Sequence, residues 1–369
     1  MPVNRSLISP TSNPVLERAL LEKLARRSET SGSLGELEPL AVRLGMLQNT
    51  LKPRFRDPQV ALFAADHGIA VDGIAPLGAP TTSDLIASLL SGRLPVSVFA
   101  SIQSMELTVV DAGVADSLPP HPRLMARKIA HGSRNARVGP AMTVDQAHAA
   151  IRAGMEIADA LPGNVIACAG VGIGSAESAA LVLSRLTNAP IRDLMVSGAG
   201  MRQDDLARLL VITQGAQGRH RDVSDPVEVL AAFGGFDTAM MVGVMLVSAS
   251  KRHLIIADGM AACAALMVAS RIAEPATDYA LFTRSHSHQG LDHALSLFQA
   301  SALLELGMES TDGTGATLAW PLIRAAAALL TEVADGEDPG PSRPSEMPAE
   351  PAAPSVAATS ATQSDEPTA

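Results

Sequence analysis

Apolar residues recur along this chain with two different rhythms. Near the start, Asn13 precedes Pro14, Leu16, Leu20, Leu21 and Leu24, and Leu37, Leu40, Leu44 and Leu47 repeat the spacing of three and four over residues 34–51. Such spacing behind a capping Asn predicts a pair of amphipathic helices. Further on, short unbroken apolar runs take over: VALFAA at 60–65, MELTVV at 105–110, NVIAC at 164–168, HLIIA at 253–257 and DYALF at 278–282. Each has strand length, and most carry apolar residues at consecutive positions, the pattern of strands buried on both faces. Long amphipathic stretches separate them, the first a helix from about Thr82. Strands divided by helices predict an α/β fold with a parallel sheet.

From residue 336 to 369 the pattern disappears into GEDPGPSRPSEMPAEPAAPSVAATSATQSDEPTA. Almost no large apolar side chain remains there to offset the entropy of ordering, so a disordered tail is expected.

In a parallel sheet, ligands gather beyond the carboxyl ends of the strands. Every glycine-rich or acidic motif of this chain follows a predicted strand, which points to an enzyme. Asp66-His67-Gly68 and Asp72-Gly73 follow the first run; here the acid caps a turn and orients the His, or the group faces a ligand. Gly170-Val-Gly172-Ile-Gly174-Ser175 follows the third run. It reads as a phosphate cradle at a helix N-terminus or as close strand–helix packing. Ser175 stands where the dinucleotide fingerprint needs its last glycine, so that fingerprint is absent. Ser197-Gly198-Ala-Gly200-Met-Arg202 is a similar loop with a cation that suits a phosphate or carboxylate. Asp258-Gly259 ends the fourth run, and Asp312-Gly313-Thr-Gly315 reads as a base on a glycine hinge or as a turn cap. Three His lie within residues 284–293, but their spacing lacks a metal site's helical register, and no metal is expected.

Composition narrows the partners. A formal charge of −10, with Lys only at 23, 52, 128 and 251, excludes nucleic acid as the main partner. Backbone N–H groups and a few Arg still suit a small anion. With 47% hydrophobic residues but only seven Phe, one Tyr and one Trp, the core is aliphatic. Cys168 and Cys263 sit in apolar runs and read as buried hydrophobes of a reducing compartment. The start shows no charged-then-apolar leader, and the apolar stretch 238–250 is too short to span a bilayer, so a cytoplasmic protein without membrane contact is expected.

Taken in order, the motifs resemble the nicotinate-nucleotide:dimethylbenzimidazole phosphoribosyltransferase family over roughly residues 34 to 330. The resemblance rests on Leu62 to Gly68 with Asp72-Gly73, Val109 to Val114, Gly132 to Asn135 with Gly139 to Thr143, and Gly172-Ile-Gly174. It continues through Val229-Leu230 with Gly234-Gly235, Asp258-Gly259, and Asp312 to Ala316. It implies a parallel-sheet, Rossmann-like α/β domain over 56–300, and a smaller helical domain assembled from 1–55 and 301–335. A homodimer is implied as well. The implied reaction moves phosphoribose from nicotinate mononucleotide to a benzimidazole-type base, without cofactor, giving an α-ribotide for the cobalamin lower ligand. Asp312 takes the place of the family's base, and Asp66, His67, Gly172, Gly174, Ser175, Gly198, Gly200, Arg202, Asp258, Gly313 and Gly315 take those of the substrate-binding residues.

Several positions depart from the family's pattern. Asp312 stands for a Glu, one methylene shorter. Gly170 replaces a second carboxylate, and Glu177 brings an acid to the phosphate-binding turn. Around the azole pocket stand Ala75, Leu77, Gly78 and Asp84, and the expected downstream Lys is absent, with Arg202 or Arg208 as substitutes. These changes keep a second reading open: a catalytically impaired relative that binds a nucleotide or azole, or serves as a partner subunit.

Overall fold

The computed structural model describes residues 7–26, 32–75, 78–195 and 201–334. Gly198, Gly200, Leu77 and the tail 336–369 lie outside the described residues. Six strands form one sheet: β1 (Gln59–Ala65), β2 (Glu106–Gly113), β3 (Leu124–Ala126), β4 (Val165–Val171), β5 (Leu254–Asp258) and β6 (Ala280–Thr283). Their order is β3-β2-β1-β4-β5-β6, and every pair is parallel. The fold is the expected α/β class. The five apolar runs became β1, β2, β4, β5 and β6, while β3, only three residues long beside β2, carried too little pattern to be read.

β4 runs on through Gly170 and Val171, so the glycine loop is shorter than its sequence suggests. Gly170 is a strand residue because a Cβ there would crowd Ala261 and Ser175. Strand order reverses between β1 and β4, and a crevice opens beyond the carboxyl ends at such a reversal.

The sheet is held by close packing. Helix Phe236–Ser250 lies on β1, β2, β4 and β5 and pairs with helix Val144–Ala160. A Cβ on Gly154 would overlap the Met240 carbonyl, and one on Gly243 the Ile151 carbonyl, so the two backbones nearly touch. Backbone cannot step aside as a side-chain tip can. Gly243→Val should therefore cost about 1–3 kcal/mol or more, read as a lowered unfolding midpoint in urea.

Helices early and late in the described residues pack together: helix Leu37–Gln48 packs on helix Thr314–Ala328, and helix Pro14–Ala25 packs on Leu37–Gln48 and Leu329–Val333. Among the described residues two segments have the length and apolarity of a membrane span, Thr82–Ile102 and Thr314–Val333. The first is two helices, Thr82–Leu90 and Pro95–Ile102. The second packs on Leu37–Gln48 and Pro95–Ile102.

Candidate active site

A cleft of about 1010 Å³ opens beyond β4, β5 and β6, lined among others by Gly172, Ser175, Glu177, Met260, His286 and Asp312. Asp312 precedes Gly313, whose φ of 94° begins helix Thr314–Ala328. Opposite it, Gly259 follows Asp258 with a φ of 87°, and a Cβ there would overlap the Asp312 carboxylate. Glycine at 259 is what lets the acid seat over the end of β5.

Beneath Asp312 lies Asp258, fully buried. Its Oδ2 accepts from Ser285 Oγ at 2.9 Å and from the Ala316 N–H at 2.9 Å, while Ser285 Oγ accepts from the Gly315 N–H at 2.8 Å. Burial raises the pKa of Asp258, and these donors, with Thr283 and the Gly313 N–H, pull it back. Asp312 has no such donors. Burial and the neighbouring Asp258 push it well above the carboxylate range. The upward shift is therefore the stronger at Asp312, which lacks the donors that Asp258 has. The Asp312 side chain is still 19% exposed, so it reaches the cleft, where a raised carboxylate is a stronger proton acceptor than an ordinary one.

His67 is not in the cleft. It is 2% exposed, with Nδ1 3.0 Å from Ser178 Oγ and Nε2 3.2 Å from Asp237 Oδ2. Burial disfavours the imidazolium, but Asp237, helped by Asp66 and Glu177, raises its pKa, and His67 in turn holds Asp237 below the carboxylate range. His67 thus lies behind the cleft lining, hydrogen-bonded to Ser178 and Asp237. Gly235 belongs to the same packing, since a Cβ there would strike the His67 ring and Asp237. Asp66 does not orient His67 by a hydrogen bond. Its carboxylate accepts from Thr82 Oγ1 at 2.6 Å and the Ala115 N–H at 2.7 Å, tying two loops together.

Gly172 and Gly174 are required by close packing and by the turn into a helix. A Cβ on Gly172 would overlap the Ala65 carbonyl, and Gly174, at φ 85°, caps helix Ser175–Thr187. That helix begins at the cleft wall with its N–H groups free of side-chain caps. Ser175 Oγ donates to Asp237 Oδ2 at 2.8 Å. Glu177, 9% exposed, lines the cleft, and burial raises its pKa against the opposing pull of its own N–H and His67. Burial thereby works against a charge on its carboxyl.

Arg202 is 79% exposed and 3.7 Å from Asp204, outside the cleft lining, though Met201 beside it does line the cleft. His286 and His288 have separate partners. His288 Nδ1 accepts from the Leu291 N–H at 3.0 Å and caps helix Gln289–Ser296, and burial lowers its pKa to about 4. His286 Nδ1 lies 3.2 Å from Glu309 Oε2 and its Nε2 3.5 Å from Asp312 Oδ1. The sequence reading missed Asp237, Glu309 and Met260. Asp237 follows Gly234-Gly235, a signal that was available, but nothing local marks Glu309. Cys168 is buried, its thiol pushed up to about 12.

A family model described as phosphoribosyltransferase matches residues 9–340. The nicotinate-nucleotide–dimethylbenzimidazole phosphoribosyltransferase of Cupriavidus taiwanensis is 41% identical over 335 residues, covering 90% of this chain and 96% of that protein. Its namesake in Variovorax paradoxus is 37% identical over 338 residues, covering 91% and 96%. The crystal structure of the Thermus thermophilus enzyme of that name superposes with a TM-score of 0.79 at 30% identity, covering 86% of this chain and 96% of that one.

Proposed function

Because this chain belongs to the nicotinate-nucleotide–dimethylbenzimidazole phosphoribosyltransferase family, we propose that Asp312 is the base of its transfer reaction. The azole N–H loses its proton to Asp312 as the other ring nitrogen attacks the ribosyl C1′ of nicotinate mononucleotide. The C1′–nitrogen bond to nicotinate breaks, and its electron pair leaves with the pyridine ring. An α-ribotide and neutral-ring nicotinate result.

The observation that carries this reading is the raised carboxyl of Asp312 opening on the cleft. The N-terminus of helix Ser175–Thr187, after Gly172 and Gly174, suits the nucleotide's phosphate. Gly313 and Gly315 let the Asp312 turn close over Asp258, while Asp66 and His67 brace the cleft from behind. Gly198, Gly200 and Arg202 are assigned to the nucleotide side by the resemblance, and Met201, next to Arg202, lines the cleft. Two features favour this reading over a non-catalytic relative: burial of Glu177 works against its carrying a charge beside a phosphate, and Asp312 faces the cleft.

The same reading makes the protein a cytoplasmic homodimer, with residues 1–55 and 301–335 as its smaller domain. Exposed Val98 and Ile102 on helix Pro95–Ile102 suit a protein-covered face. Sedimentation of the purified protein tests the dimer. For the reaction, incubation with nicotinate mononucleotide and dimethylbenzimidazole should release nicotinate and α-ribotide in equal amounts. Binding of both substrates without release of nicotinate would overturn it.

A further inference from the structure

The proton that Asp312 accepts has to leave before the next turnover, and its surroundings are dry. Asp312 Oδ1 is buried and has no hydrogen-bond partner among the described residues, and Asp258 below it is sealed from solvent. The one titratable ring pointing at that oxygen belongs to His286, with Nε2 at 3.5 Å. On its far side Nδ1 stands 3.2 Å from Glu309 Oε2. Glu309 is held by the Ser287 N–H at 3.2 Å, and the backbones of His286 and Glu309 form an antiparallel bridge. Glu309's side chain is 69% exposed, that of His286 37% and that of Asp312 19%, so the three acceptors run in order from the cleft floor to water.

We infer that His286 and Glu309 form a proton exit for Asp312, a relay that rests on the transferase reading above. The steps balance without a further reactant. Neutral His286 keeps its proton on Nδ1, facing Glu309, and leaves Nε2 free to accept. Asp312 gives the azole proton to Nε2 and is again a carboxylate. The imidazolium passes the Nδ1 proton to Glu309 and from there to water, and ring rotation or exchange with solvent restores the neutral tautomer. Hydrogen bonds used in catalysis are often long in the empty enzyme and tighten around substrate, which is what the 3.5 Å separation requires.

Other charged groups facing the ring do not offer a competing route. The His288 ring is 6.5 Å away and its Nδ1 is engaged by the Leu291 N–H. Arg284 donates to the His286 carbonyl and is neutralised by Asp292 at 2.7 Å and Glu305 at 3.1 Å. His286 acts through Asp312 and is a positioning and relay residue, not the group that touches substrate.

The test compares wild type, His286→Asn and Glu309→Gln for nicotinate release across the neutral pH range. Expected for His286→Asn is a fall in kcat of about 10- to 100-fold, at the low end for general acid–base groups, with the KM of both substrates nearly unchanged. The loss should shrink as a tertiary-amine buffer is raised, since such a buffer carries protons but has no N–H azole to be ribosylated. Glu309→Gln should show a smaller loss of the same kind. An unchanged kcat and pH profile in His286→Asn overturns the relay, as does a loss that buffer does not relieve and that KM shares. Wild type that releases no nicotinate sinks the transferase reading instead, and the relay with it.

Discussion

Asp312→Asn should abolish most turnover and at the same time make the protein more stable at neutral pH. Loss of a general base costs about 10²- to 10⁴-fold in rate, and Asn, nearly the same shape, leaves the cleft intact. The stability gain follows from the direction of the shift. Burial and Asp258 raise the folded pKa of Asp312 above its ordinary value of about 4. The proton is bound more tightly in the folded chain, so its stabilising contribution is complete below pH of about 4 and is lost as pH rises through the raised folded value. At neutral pH the wild-type protein is spending stability on an ionisable acid in a dry place, and an amide is free of that cost. Thermal unfolding of wild type and Asp312→Asn should thus diverge with rising pH and converge in acid. Equal midpoints at every pH would mean that the acid is not buried in solution. In wild type, the acid limb of the kcat/KM profile should lie above the ordinary carboxylate range.

Asp258→Ala should destabilise the chain by about 3 kcal/mol, through donors left without an acceptor. Ser285 Oγ and the Ala316 N–H both lose their partner in a fully buried place. Relief of repulsion with Asp312 works the other way, but removal of one charge does not re-satisfy two donors, and the loss wins. Asp258→Asn separates the two effects. The acceptor oxygen is retained and the charge is gone, so stability should change less while the acid limb moves to lower pH. It should not return to the ordinary carboxylate value, because burial is the larger cause of the shift at Asp312. A limb that stays in place in Asp258→Asn would remove Asp258 from the account, and urea unfolding of the two variants supplies the energies.

Much of the fold was legible because its signals are local. Runs such as Val60 to Ala65 and Leu254 to Ala257 are apolar on both faces because the strands are buried on both faces, and Asn13 caps its helix by accepting from the Leu16 N–H at 3.1 Å. β3 escaped because three half-exposed residues carry no period. The glycines were harder to read. Gly172 and Gly235 are required by Ala65 and His67, partners distant in sequence, and a bare Gly-x-Gly cannot say which neighbour demands it. His67 next to Asp66 looked like one polar unit, yet the two side chains part company: one ties loops at the surface, the other turns inward to Asp237.

Residue order alone determined the alternating architecture, the aliphatic core and the placing of Asp66-His67, Gly172-Ile-Gly174 and Asp258-Gly259 at the ends of strands, since periodicity and chain order are properties of the sequence itself. Only the tertiary structure decided which acids have their proton affinity raised. Asp258, Asp312 and Glu177 are ordinary carboxylates as letters, and their proton affinities come from burial, from donors such as Ser285 and from one another. Those fields act across space, between residues brought together by the sheet, and have no trace in the spacing of the chain.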